Sequence, residues 1–326
     1  MFRFLRRRLA FALITLLGIS LINFALISAV PGDPVAGNSD ENVSATDASS
    51  RALIRAQFHL DEPRWKRYAL WMRDLLSGNL GVSLETREPV GARLRPALWN
   101  TLSLNVVAIF VVYLIAVPLG ALAAAHRGRV FDAVSGVVLF GLYSLPNFWV
   151  GTLLLIFLAG GKYLNWFPAH GLQPDSFQDS GLLRHWIAAI PYYVLPVTTL
   201  AYFQLAALSR YARTGFLEAL GQDFIRTARA KGLSATAVLW KHAARNSLIP
   251  VVTEFGAVLP MLISGSIVVE SIFSIPGMGR LAVVAVFARD YPMILAINLL
   301  LALLTLAGMI LTDLLYAWLD PRIELA

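Results

Sequence analysis

Repeated apolar runs, each long enough to cross a bilayer, constrain this chain more than any other feature. A span needs roughly 20 apolar residues to cover about 30 Å of hydrocarbon. Six such runs can be read: Leu9 to Val30, Ala97 to Ala124, Phe131 to Leu158, Ile187 to Leu208, Ser247 to Ile272 and Met293 to Trp318. Soluble sheet proteins match the apolar content but not runs of that length. Only 14% of the 326 residues are charged, against about 25% in a soluble domain. The expectation is an all-α polytopic membrane protein with six transmembrane helices. Residues 1–30 hold the N-terminus and first span, 31–96 a polar segment, and 97–326 the remaining five spans. The first run follows Arg6-Arg7-Arg8. It is longer than a signal-peptide core, and no small-x-small cleavage site follows, so it reads as a retained span.

Between the runs the polar segments differ in kind. Leu53 to Leu76 has mixed helical periodicity with Trp65, Tyr68, Leu70 and Trp71. It predicts an amphipathic helix at the membrane surface or on a neighbouring subunit. Pro118 lies inside the second run, where neighbouring helices can satisfy the freed carbonyl. The basic N-terminus, the loop His126 to Arg129 and the segment 209–246 alternate so as to share one side. The positive-inside rule makes that side, and both termini, cytoplasmic. The net charge of +7 is thereby explained by topology. Nucleic-acid binding would need a basic patch with interleaved aromatics, and none is seen.

The segment from Asp223 to Ser234 is basic, lacks a long apolar run and lies between two spans. Burial in lipid does not call for it, so it meets water or another protein. Leu217 to Leu220 and Phe224 to Lys231 are good helix formers. Gly232 breaks the pattern, and Ser234 is placed to cap a second helix from Ala235 to about Asn246. Two short helices bent at a glycine make a compact knob. Thr227, Ala228 and Ala230 are small enough to let another surface approach. Read from shape alone, a docking knob and a solvated loop that only sets topology remain equally open.

Other chemistry is sparse. There are no cysteines, which excludes disulfides and thiolate sites. His59, His126, His170, His185 and His242 fall in loops or at span ends without metal-ligand spacing. Gly161-Lys162 is followed by Tyr163 and lacks the earlier glycine of a nucleotide-binding loop. Any ATP chemistry therefore belongs to another chain. No cofactor, metal or catalytic residue is expected here. Glu270, near the outer end of the fifth run, is read as contacting substrate or as making a structural hydrogen bond near the Pro276–Gly279 turn. The structural role is favoured, since an interfacial carboxylate reaches water cheaply. Glu254 and Asp313 are read as snorkelling or pairing with cytoplasmic arginines. Asn23 and Asn105 are read as interhelical hydrogen bonders.

At this point the residues resemble a known family. The segment Arg226 to Leu233, with His242, Arg245 and Asn246, is similar to the cytoplasmic coupling loop of binding-protein-dependent ABC importer permeases. The likeness is to the dipeptide, oligopeptide and nickel branch, in the subunit with a long loop after its first span. Arg226 and Thr227 stand where the broad pattern has Glu and Ala, and Arg245 also departs from it. Those substitutions are usual in the peptide branch. Pro31-Gly32-Asp33-Pro34, Gly78-Asn79-Leu80-Gly81, Asn100-Thr101-Leu102, Ser144 to Trp149, Val269 to Gly279 and Asp320-Pro321-Arg322 extend the resemblance along nearly the whole chain.

The resemblance implies the type I importer permease fold and a subunit that is not itself an enzyme. It implies coupling to two ATPase subunits, which carry the ATP and Mg, through residues 218–246. Arg226, Thr227, Ala228, Arg229, Lys231, Gly232, His242, Arg245 and Asn246 form that coupling loop. Glu270, Pro276, Gly277 and Gly279 belong to a pathway or gate. The other partners implied are membrane lipid, a homologous second permease and an extracytoplasmic substrate-binding protein. The location implied is the bacterial inner membrane, and the cargo short peptides. Chelated nickel, glutathione and antimicrobial peptides are the alternative cargoes. An ion-coupled secondary transporter would need mid-membrane carboxylates, and none is prominent. A scaffold without transport would tolerate a flexible linker in place of residues 223–246.

Overall fold

The structure is a computed structural model that describes residues 2–29, 62–161, 163–173, 182–247 and 266–319. Helix α1 (Phe2–Ala29) is followed by α2 (Arg64–Leu76), α3 (Val90–Ala125), α4 (Val130–Ser144) and α5 (Asn147–Leu158). Then come α6 (Leu182–Leu220), α7 (Asp223–Ala230) and α8 (Ala235–Ala237). A π-helical turn (Val238–Ala243) leads into α9 (Ala244–Ser247). The chain continues through α10 (Ile267–Ile272), α11 (Met278–Phe287) and α12 (Tyr291–Leu319). Among the described residues, four helices are long and apolar enough to cross a membrane, or five if the bent pair α4–α5 is one span. Most of the fifth expected span, with Glu254, lies outside the described residues. So do Pro31 to Pro34, His59, Lys162 and Asp320 to Arg322.

Three boundaries differ from the sequence expectation, the first being the start of α3, which begins at Val90 rather than Ala97 and carries Pro96 within its first two turns. The third run is not one straight span: α4 and α5 meet at 94°. The cause is Pro146, which has no N–H and drives the preceding residue out of the helical region. Leu145 is accordingly extended, at φ −84° and ψ 133°. Its carbonyl accepts a 2.8 Å hydrogen bond from the Tyr202 hydroxyl on α6. Tyr143 stacks on Phe203 beside it, with centroids 4.5 Å apart. The fourth run, expected to end at Leu208, continues as helix to Leu220. Polar residues from Ser209 onward end the apolar run without ending the helix, because they interrupt no backbone hydrogen bond.

α3 and α6 are the central pair. They approach closely at Gly120, where a Cβ would lie 2.6 Å from the Ser209 carbonyl and 2.8 Å from the Arg213 nitrogen. Only a residue without a side chain lets the two backbones meet there. Asp132, in the first turn of α4, holds Arg213 of α6 in a two-point ion pair at 2.6 and 2.8 Å. The Gly128 N–H also donates to Asp132, at 3.0 Å.

α1 runs along α12. Arg8 pairs with Asp313 at 3.1 Å, and the Asn298 amide reaches Asn23 Oδ1 at 3.4 Å. Both contacts fit the roles read from sequence for Asp313 and Asn23. Helix α2 docks on the C-terminal half of α1 rather than on a separate surface. Tyr68 and Ser20 share a 2.8 Å hydroxyl–hydroxyl hydrogen bond. Phe24 packs edge-on to Tyr68 at 5.4 Å, and Arg67 lies over the Phe24 ring.

Candidate functional site

The knob is built outward from a buried base. Phe216 and Ala219 near the end of α6 and Ala121 and Ala124 at the end of α3 form that base. Ile225 and Ala228, three residues apart on α7, turn inward onto it, as do Val238, Leu239 and Ala243 from the following segment. Burying a side chain such as Ile225 contributes about 1.5–3 kcal/mol. The knob is therefore fastened to both central helices. Gly221 and Gln222, between α6 and α7, are a tight turn rather than a flexible linker.

The bend is a Schellman motif. Gly232 has φ +77°, its N–H bonds the Arg229 carbonyl at 2.9 Å and the Leu233 N–H reaches the Ala228 carbonyl at 3.4 Å. These are the two bonds that close a helix at a left-handed residue. Ser234 then accepts a hydrogen bond from the Ala237 N–H at 3.3 Å, capping α8. The expected single second helix is interrupted by the π turn, which carries Lys241 and His242.

The coupling residues read from sequence fall on two sides of this knob. Arg226, Thr227, Arg229, Lys231 and Gly232 are exposed along its outer face, and Arg245 and Asn246 are exposed on α9. Ala228 is buried and belongs to the packing base, and His242 is half-buried. Arg226 contacts Asp223 at 3.2 Å in a fully solvated pair. Such a pair contributes little, so the guanidinium is available to a partner.

The second group lies at the opposite ends of the helices. Glu270 is 1% exposed, so it does not reach the aqueous surface as its position in the sequence suggested. Its oxygens accept from the Thr101 hydroxyl at 2.8 Å and from the Arg280 N–H at 2.8 Å. Thr101 in turn accepts from the Met278 N–H at 2.8 Å. The Asn100 amide donates to the Pro276 carbonyl at 3.1 Å. The carboxylate thus caps the N-terminus of α11, where it complements the helix dipole. Gly277 and Gly279 stand against it: a Cβ on Gly277 would sit 2.5 Å from Glu270 Oε1, and one on Gly279 3.1 Å from Oε2. Glu270, Pro276, Gly277 and Gly279 therefore form one cluster.

Three further residues were not singled out from the sequence. Asp290 is fully buried. It accepts from the Ser83 hydroxyl and, at 3.1 Å, from the Leu84 N–H, and it caps α12 through the Met293 N–H at 3.4 Å. It ties the 81–89 segment to the start of α12. A separation of 207 residues leaves no local trace of the Ser83–Asp290 pair. The Asp132–Arg213 pair did leave a signal, an acid in the first turn of an apolar helix. An apolar cavity of about 350 Å³ lies between α3 and α6, with Val107, Val111, Ile190 and Tyr193 in its wall and no charged residue in its lining among the described residues.

Comparison with known proteins places the chain in a family. Residues 116–325 match the family described as binding-protein-dependent transport system inner membrane component. Residues 1–105 match the N-terminal region of the same kind of membrane component. The oligopeptide transport system permease protein AppB of Bacillus subtilis is 37% identical over 320 residues, covering 98% of each chain. The dipeptide transport system permease protein DppB of Escherichia coli K12 is 36% identical over 341 residues, covering 99% of each. The di/tripeptide transport system permease protein DppB of Pseudomonas aeruginosa is 35% identical over 337 residues. Among solved structures, the MetNI methionine ABC transporter in its inward-facing form shares the fold, with a TM-score of 0.53 and 17% identity. That likeness covers 70% of this chain and 96% of the other. The chain is a member of the binding-protein-dependent transport system inner membrane component family.

Proposed function

We propose that this chain is a permease subunit that moves short peptides across the bacterial inner membrane, driven by ATP hydrolysed on partner chains. One observation carries the reading: a cationic outer face, from Arg226 through Arg229 to Lys231, sits on a knob packed rigidly against both central helices. A loop that only set topology would not need that base. The near full-length similarity to oligopeptide and dipeptide permeases supports the cargo class.

In this reading two ATPase subunits grip residues 218–246 and supply both ATP and Mg. A homologous second permease completes the pathway. An extracytoplasmic binding protein delivers peptide to residues 31–96, 160–186 and 273–292. Both termini and the knob face the cytoplasm. Closure of the ATPase dimer pushes the knob, and the knob carries α3 and α6 with it because Phe216, Ala121 and Ala124 share its core. The switch is a packed assembly with two arrangements, biased by nucleotide. Peptide backbones are common to all such cargo while side chains vary, so an uncharged wall suits them.

The test is uptake of radiolabelled dialanine and alanine pentapeptide into proteoliposomes. They would hold the complete complex, with its binding protein outside and ATP inside. The expected result is ATP-dependent uptake that is abolished when Arg229→Glu and Lys231→Glu are combined, with membrane insertion intact. Uptake driven by an ion gradient without ATPase partners, or uptake unchanged when residues 223–246 become a flexible linker, refutes the reading.

A further inference from the structure

The geometry points to a latch at the outer end of α3, made by Asn100, Thr101, Glu270 and Gly277, through which α3 carries the motion of the knob to the Pro276–Gly279 turn. It rests on the import reading given above.

Helix α3 touches both functional clusters. Ala121 and Ala124 lie in the knob's core, while Thr101 and Asn100 hold the turn. The 20 residues from Thr101 to Ala121 span about 30 Å, the thickness of the hydrocarbon. The same helix therefore reaches from one face of the membrane to the other. At its outer end the attachment is polar, and its Thr101–Glu270 part is buried. The Thr101 hydroxyl donates to Glu270 and accepts from Met278, so its hydrogen-bonding capacity is committed to α11 and the carboxylate that caps it.

Gly277 identifies the cluster as a fitted joint. Its backbone, at φ −102° and ψ −179°, is ordinary extended chain that any residue adopts. The three atoms nearest to a Cβ there all belong to the Glu270 carboxyl group. Glycine is required at 277 because the carboxylate occupies that space and for no conformational reason. A Cβ at 277 could enter only by moving the carboxylate away from the Thr101 hydroxyl and the Arg280 N–H that hold it. The far side of α11 is secured independently by Asp290, with Ser83 and Leu84. At ten residues, about 15 Å, α11 is too short to span and is held as a unit between these two buried acids. Thr101, Glu270 and Gly277 are positioning residues in this account, since none needs to touch cargo.

The test uses the complete complex in proteoliposomes with a mixture of radiolabelled di- to pentapeptides, reading peptide imported per ATP hydrolysed. Thr101→Val keeps the shape and removes the hydroxyl, leaving the Met278 N–H and a Glu270 oxygen unpaired; the ratio should fall roughly tenfold. Thr101→Ser restores the hydroxyl and should restore the ratio. Gly277→Ala should uncouple as strongly as Thr101→Val. Adding Glu270→Asp, which draws the carboxylate back, should recover part of that loss, giving a non-additive cycle. The chain contains no cysteine, so it can be labelled at Val106→Cys and Phe287→Cys alone before assembly with the other subunits, and the pair of spin labels reports the α3–α11 distance. That distance should stay fixed when ATP is added to the otherwise unaltered complex and change with ATP in the Thr101→Val background. A coupling ratio for Thr101→Val equal to that of the parent overturns the latch. So does an α3–α11 distance that shifts with ATP in the parent. If the parent complex imports no peptide with ATP, the import reading itself fails, while the spin-label distance still decides whether the turn follows α3.

Discussion

Gly232 offers a graded test of the knob because its environment separates conformation from packing. It sits at φ +77° with open space where a Cβ would go. Gly232→Ala therefore meets no steric neighbour, and its whole cost is the left-handed backbone, about 1 kcal/mol. That cost shifts the bent arrangement against straighter ones by roughly fivefold. Gly232→Asn should cost less, because Asn tolerates this region. Gly232→Pro is of another order. Proline fixes φ near −65° and lacks the N–H that bonds the Arg229 carbonyl, a combination that costs about 3 kcal/mol or more. ATP-dependent peptide uptake in proteoliposomes should therefore fall in the order Gly, Asn, Ala, Pro, with Pro inactive but normally inserted. Equal uptake for Gly232→Pro and the parent would show that the bend transmits nothing. Equal loss for Ala and Asn would show that the cost is not conformational.

Three other substitutions probe the frame behind the knob. Gly120→Ala forces a Cβ against the Ser209 carbonyl and Arg213 nitrogen, so overpacking should cost about 1–3 kcal/mol, read as a lower thermal midpoint in detergent. Asp132→Asn removes the two-point pairing with Arg213, whose side chain is 36% exposed; the loss should be about 1–2 kcal/mol, measured by the same unfolding assay. Tyr202→Phe leaves the Leu145 carbonyl without its hydroxyl donor and should cost about 1 kcal/mol, with added proteolysis at the α4–α5 bend as a second readout.

What the sequence made legible was local. The Gly232 bend and the Ser234 cap are read from residue types at fixed offsets, and the structure forms both. The pairing of Asn23 with α12 was legible as a kind of contact, though not its partner. The bend at Pro146 was hidden because apolar residues continue on both sides, so composition alone joined α4 and α5 into one run. The length of α6 was underestimated for the converse reason: Arg210 and Arg213 end the apolar run while the helix goes on. Glu270 was placed near the outer end but expected to reach water. Its burial depends on Thr101, 169 residues away, and no period or motif carries a contact of that range. The sequence reading assigns Gly277 and Gly279 to a pathway or gate; in the structure Gly277 leaves room for the Glu270 carboxylate, and Gly279 for Ile267 and that same carboxylate.

The pairing of α1 with α12 has a consequence for how the protein is made. Asn23 enters the bilayer early in synthesis, but its partner Asn298 emerges from the ribosome only after every intervening segment. The opening segment must therefore wait in lipid, its Asn23 amide unmatched by its final mate, until the late one arrives. Truncation before Asn298 should leave the first crossing exposed to membrane quality-control proteases even though its own residues are untouched.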